Sequence, residues 1–203
     1  MAAIRVIEAV VSLGERDVLL LRPEDSESLI DDEAFAREEF LPYWAELWPS
    51  AVALARTVAR RRLNGRRVTE LGCGLALPSI AAALAGADVL ATDWSPQAVA
   101  LARRNAYRNG IRLETAICDW TAPAKLVAGA PWDLVLASDV LYERRNVDVL
   151  LRLLPRLVAA RGEVLLADPG RPALAAFLEC AGAAWDVADV EGGVYRLTPA
   201  ASA

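Results

Sequence analysis

No histidine occurs anywhere in the 203 residues. A Ser-His-Asp triad, a histidine-ligated metal and imidazole acid-base chemistry are therefore excluded. Cysteine is scarce: Cys73, Cys118 and Cys180 are odd in number, far apart and unlike any disulfide framework or zinc-ligand spacing. Reduced thiols and no metal are expected. Long apolar runs are missing too, because the 55% hydrophobic content is broken by charge well short of the ~18 residues of a membrane span. Arg5 and Glu8 interrupt the start of the chain, and no apolar core with a small-residue cleavage site follows them, so no secretory signal is expected. No membrane association and a cytoplasmic location are the default readings. Internal repeats and low-complexity segments are absent. The length suits one domain over 1–203, burying roughly 70% of its unfolded surface, with 1–47 an N-terminal hairpin and acidic extension and 48–203 the core.

Net charge is −5, unevenly placed. Glu24 to Glu39 holds eight carboxylates against Arg37 alone, and Arg56 to Arg67 holds six arginines in twelve residues. The acidic block reads either as a solvated helix face or as a surface for a basic partner. Several of the arginines would close a helix, where cations suit the dipole. No aromatic residues are interleaved with them for stacking, so no nucleic-acid partner is expected.

The centre of the chain is the stretch from Val68 to Ser95. Glu70 ends a short apolar run, Gly72 and Gly74 follow, an alanine-rich helical segment runs from Leu77 to Ala85, and a second apolar run delivers Asp93. Glycines let the backbone turn sharply from strand to helix and lie close to a ligand, and a carboxylate about twenty residues on meets the hydroxyls of a ribose. A nucleoside cofactor is implied. A dinucleotide fingerprint wants a further glycine at the position of Leu77, where it would seat a pyrophosphate. Its absence argues against an oxidoreductase. An acidic residue ahead of Gly-x-Gly with the small Ala76 two further on resembles instead the first motif of class I S-adenosylmethionine-dependent methyltransferases, although Ala76 stands where that family has its third glycine.

Downstream, helix Pro96–Asn109, strand Leu113–Cys118, strand Asp133–Ala137, helix Arg144–Ala160, strand Glu163–Ala167 and helix Pro172–Ala181 continue the alternation. Such alternation predicts an α/β fold with a mostly parallel sheet covered on both faces. Trp185–Val190 and Val194–Thr198 flank Glu191-Gly192-Gly193 and predict a tight antiparallel hairpin. Upstream, Ile4–Val11 and Asp17–Leu21 predict another, and residues 24–40 read as helical or irregular. Leu47–Arg60 reads as a helix that Pro49 starts. The whole resembles the Rossmann-like, doubly wound seven-stranded methyltransferase sheet, over roughly residues 42–198.

Three further segments bear on chemistry. Asp119-Trp120 follows a strand directly, at a carboxyl end where open sheets bind ligands: contact with an adenine, or a turn residue beside a ring that covers the sheet. Pro42 to Ser50 is dense in aromatics, and its Trp48 either faces a sulfonium cation or packs the core. Ser138, Asp139 and Tyr142 follow another strand, where Asp139 could equally cap a helix. The Trp-Pro segment and the Asp-x-x-Tyr arrangement resemble the seven-strand protein lysine methyltransferases. That resemblance implies cofactor contact at Trp48, Glu70, Gly72, Cys73, Gly74, Asp93, Trp94, Asp119, Trp120 and Ser138, with Asp139 and Tyr142 catalytic. It implies a protein substrate with an accessible lysine, or a small-molecule amine, as acceptor, and in-line transfer from S-adenosylmethionine without a metal. A small-molecule N- or O-methyltransferase and a non-catalytic cofactor-binding module are the alternatives.

Overall fold

The computed structural model describes residues 5–26, 29 and 42–200. Strands β1 (Val6–Ser12) and β2 (Asp17–Pro23) form an antiparallel hairpin. A 3-10 turn at Tyr43–Ala45 leads into α1 (Pro49–Ala59). Strands and helices then alternate: β3 (Arg67–Leu71), α2 (Leu77–Leu84), β4 (Asp88–Asp93), α3 (Pro96–Arg108), β5 (Glu114–Ile117), α4 (Ala124–Ala128), β6 (Trp132–Ser138), α5 (Arg144–Leu157), β7 (Val158–Ala167), α6 (Pro172–Ala181), β8 (Trp185–Glu191) and β9 (Val194–Pro199). Proline opens α1, α3 and α6, where its missing N–H costs nothing and its fixed φ suits the first turn.

The main sheet has seven strands in the order β5-β4-β3-β6-β7-β9-β8, parallel except for the antiparallel β9. Chain order reverses on either side of β3, so a crevice opens at the carboxyl ends of β3 and β6. The core lies in two layers. Leu54, Val58, Ile80 and Ala102 of α1–α3 pack on one face with Val18 and Leu20 of the hairpin. Leu126, Leu150, Leu153, Leu154 and Phe177 of α4–α6 cover the other. Each fully buried large apolar side chain contributes roughly 1.5–3 kcal/mol. The buried threonines of the central strands are satisfied, with Thr69 Oγ1 donating to Leu90 O at 3.0 Å and Thr92 Oγ1 to Glu70 O at 2.7 Å.

The β1–β2 hairpin stands outside this sheet and is held by two amides of α3. Asn109 Oδ1 accepts from Leu19 N at 2.9 Å and its Nδ2 donates to Leu19 O at 2.8 Å. Asn105 treats Leu21 the same way, at 2.7 and 3.1 Å. One helical turn, about 6 Å, matches two residues of strand, about 6.8 Å, so the two amides stand in for a neighbouring strand.

Expected and observed elements differ in particular places. The helix expected to run to Ala160 ends at Leu157, and Val158 turns extended (φ −80°, ψ 133°) to pair with Trp132. Sheet pairing there overrides the helical apolar spacing. The five-residue α4 is too short to show a period. In the arginine-rich stretch, Arg60, Arg61 and Arg66 pair with Glu191, Glu163 and Asp133. Of the acidic stretch 24–39, residues 27, 28 and 30–39 lie outside the described residues. Among the described residues no helix is long and apolar enough to cross a membrane.

Candidate active site

β3 hands the chain to α2 through three alternate positions with positive φ: Gly72 (64°), Gly74 (49°) and Ala76 (62°). At Gly74 a Cβ would meet the carbonyl oxygen of Trp44 at 3.0 Å, so a side chain is refused on two grounds. Ala76 adopts the left-handed conformation of the missing glycine despite its methyl group. Cys73 N donates to Thr92 O at 2.8 Å, which keeps the loop in register with β4. Asp93 ends β4 and anchors the turn from the other side. Its Oδ2 accepts from Gly74 N and its Oδ1 from Ser95 N, both at 2.9 Å. Burial pushes this carboxyl up to about 6 against those bonds.

Around this turn lies a cavity of about 360 Å³. Of the residues named from sequence, Trp48, Gly72, Cys73, Gly74, Asp93, Trp94, Trp120, Ser138, Asp139 and Tyr142 line it. Two do not. Glu70 is fully buried beneath the turn, where its Oε2 accepts from Ser79 N at 2.9 Å and from the Ser79 hydroxyl, while Oε1 has no partner. Desolvation lifts its pKa to about 8 against the Ser79 bonds. Asp119 spends Oδ1 on Thr121 N at 2.7 Å and Thr121 Oγ1 at 2.8 Å, which lowers its pKa. Its Oδ1 thus closes a turn, and of this pair it is Trp120 that lines the cavity.

Aromatic rings form the mouth. The indole N–H of Trp48, the N-cap of α1, donates to Tyr43 O at 2.8 Å. Tyr43 stands 6.2 Å from the Trp48 ring and 5.5 Å from that of Tyr142, tilted in both cases. Asp139 takes φ 58° just past β6, its N–H donating to Ala167 O at 2.9 Å. It caps no helix, since the N-cap of α5 is Glu143. Asn146 Nδ2 donates to Val140 O at 2.9 Å and fixes the loop between Asp139 and Tyr142. Burial raises the pKa of both residues. At Asp139 the opposing influences are Arg171 and Ser50, although Oδ2 closes no hydrogen bond among the described residues.

Sequence reasoning missed Arg171 and Asp168. Arg171 lines the cavity from the start of α6, with Nη1 donating to Asp139 Oδ1 at 2.7 Å and to Asp168 Oδ2 at 3.0 Å. Its guanidinium carbon lies 5.9 Å from the Trp48 ring centre. Asp168 follows β7 directly, and the carboxyl-end rule that selected Asp119 and Asp139 would have selected it as well.

The donor set suits an adenosyl cofactor. Asp93, which accepts the backbone N–H groups of Gly74, Ser95 and Trp94, lines the cavity as an acceptor suited to ribose hydroxyls, and Trp48, Trp94 and Trp120 supply ring faces.

Residues 42–177 match a family model described as lysine methyltransferase. The electron transfer flavoprotein beta subunit lysine methyltransferase of Danio rerio is 35% identical over 134 residues, covering 64% of this chain and 51% of that protein. The histone-arginine methyltransferase METTL23 of Homo sapiens is 35% identical over 111 residues, covering 52% and 58%. The chain thus spans about half the length of these curated relatives. Among solved structures, the 16S rRNA N2 G1207 methyltransferase RsmC of T. thermophilus, in complex with AdoMet and guanosine, superposes with a TM-score of 0.65 at 16% identity, covering 98% of this chain and 52% of that one. At that identity the likeness shows the fold alone.

Proposed function

Because the chain belongs to the lysine methyltransferase family, we propose that it methylates a lysine side chain of a protein in the cytoplasm, with S-adenosylmethionine as donor. One observation carries this: Asp139 and Tyr142 open onto the same cavity as the glycine turn and Asp93. S-adenosylmethionine, when bound, supplies a methyl group on a cationic sulfur that departs as a neutral thioether.

The protein's share is binding and alignment. Asp93 takes the ribose hydroxyls, the backbone at Gly72 and Gly74 lies against the cofactor, and Trp94, Trp120 and Trp48 cover its flat and cationic parts. Asp139 and Tyr142 receive the acceptor nitrogen and orient it, and alignment of this kind can supply up to ~7–11 kcal/mol of the barrier. Tyr43, Tyr142 and Trp48 line that end with aromatic surface, and desolvation of the acceptor against it favours the uncharged amine. Lysine needs that help, because losing its proton at pH 7 from an ordinary pKa near 10.4 costs roughly 4–5 kcal/mol.

Tritiated S-adenosylmethionine offered separately to the protein and metabolite fractions of a lysate tests the assignment. Label in methyl-lysine is expected, and label confined to metabolites would replace protein by small-molecule methylation. Asp139→Ala is expected to abolish transfer while cofactor affinity, read by calorimetry, stays within about twofold. Normal turnover in that variant would remove Asp139 from its role.

A further inference from the structure

Among the described residues Arg171 is the only cation lining the cavity. It is a fixed charge. Nη1 is shared by Asp139 and Asp168, and Asp168 is itself locked, its Oδ1 accepting from Gly170 N at 2.9 Å and Arg171 N at 2.7 Å. The Arg171 side chain remains 24% exposed, and its Nε and Nη2 make no hydrogen bond to the described residues.

The position is awkward for a site that receives an ammonium. Asp139 and Asp168 alone would hold a lysine in its charged form, which has no lone pair with which to attack. A guanidinium does not lose its proton in a protein, so Arg171 cancels one of those two charges at every working pH. It also places a permanent cation against the carboxylate that orients the acceptor.

We propose that Arg171 sets the charge of the acceptor: paired with Asp139 and Asp168, it disfavours the lysine ammonium at this end of the cavity and drives its proton to solvent. The inference rests on Asp139 as the acceptor-orienting residue. Like charges about 5 Å apart at an effective dielectric of ~20 shift a titration by on the order of 2 units, which partial exposure reduces to about 1. An arginine acceptor would keep its proton and meet the repulsion undiminished, so the site selects lysine.

Other ionisable groups face the same space. Asp139 and Asp168 touch Arg171; Tyr43, Glu46 and Tyr142 stand at the mouth, with Cys73 and Asp93 across the cavity. Burial keeps Tyr142 and Cys73 neutral through the working range.

The test is the pH dependence of initial rate for wild type, Arg171→Met and Arg171→Lys, from pH 6.5 to 9.5. Tritiated S-adenosylmethionine and lysate protein are the substrates, with label counted as methyl-lysine and methyl-arginine after hydrolysis. The chain has a single lysine, Lys125, so self-labelling is removed by cutting out one gel band. In Arg171→Met the acidic limb should move up by about 1 unit, about tenfold slower at pH 7 with the gap narrowing toward pH 9.5. Arg171→Lys should keep the wild-type limb. Circular dichroism of each variant at each pH scales its rates to folded protein, so a change in stability cannot imitate a moved limb. An unmoved limb, or an equal loss at every pH, overturns the proposal alone. Methyl-arginine formed by the wild type overturns it as well. No methyl-lysine from the wild type at any pH overturns the underlying assignment, and the proposal with it.

Discussion

Asp93 accepts the backbone N–H of Gly74 at 2.9 Å, so the carboxylate that we propose for the ribose is also the one that holds the glycine turn shut. Replacing it removes two functions at once. Asp93→Ala should weaken S-adenosylhomocysteine binding roughly 100-fold, the loss of about two charge-assisted hydrogen bonds, as measured by calorimetry. An unchanged Kd would take Asp93 out of the cofactor site.

Glu70 makes the ligand-free protein less stable as pH rises. Its folded pKa of about 8 lies above the ordinary ~4.3 of an exposed glutamate, so between those values the folded state holds a proton that the unfolded state has lost. Stability is full below about pH 4, falls across the window and is lost as pH passes 8, by several kcal/mol on an order-of-magnitude scale. Asp93 adds a smaller decline up to about 6. Thermal melts from pH 5 to 9 should show the fall in wild type and a much flatter profile in Glu70→Gln. Parallel profiles would contradict it.

Ala76 carries a left-handed backbone with its methyl fully buried. Ala76→Gly relieves roughly 1–2 kcal/mol of strain but loses about 1 kcal/mol of buried methyl and adds unfolded-state entropy. The terms nearly cancel, and urea denaturation should place it within about 1 kcal/mol of wild type. Ala76→Val, β-branched in the same conformation, should cost about 3 kcal/mol or more.

Asn105 and Asn109 divide along a line that can be measured. Both clip the hairpin, but Asn105 Nδ2 also donates to Leu75 O at 3.1 Å, inside the glycine turn. Asn105→Ala should speed amide exchange at Leu21 and weaken cofactor binding several-fold. Asn109→Ala should free Leu19 alone, and equal effects of both on the cofactor would deny the link.

The unit from β3 to β4 was legible because its signals are local: an apolar run, glycines where φ must be positive, a carboxylate at a set distance. Asp139 and Tyr142 were legible for the same reason, three residues apart beyond one strand. Arg171 was not, since its partner Asp139 lies 32 residues away and no local pattern announces an ion pair across two strand ends. The residue pair Asp119-Trp120 shows the converse. Sequence placed it at a ligand-binding edge, but only the hydrogen bonds to Thr121 show which of the two side chains is free to face the cavity. Chain folding at Val158 depended on its partner Trp132, which apolar spacing along one segment cannot report.

Strand β9 lies between β7 and β8 although it is made after both. A ribosome therefore releases β8 with no neighbour to pair with, and the sheet cannot close until Val194–Pro199 has emerged. The same hairpin braces Asp168: Gly193 O accepts from Asp168 N at 3.1 Å, and a Cβ on Gly193 would strike Asp168 O at 2.8 Å. The strand end that carries Asp168, the partner of Arg171, is therefore fixed last, well after Asp93 and Trp120 have emerged.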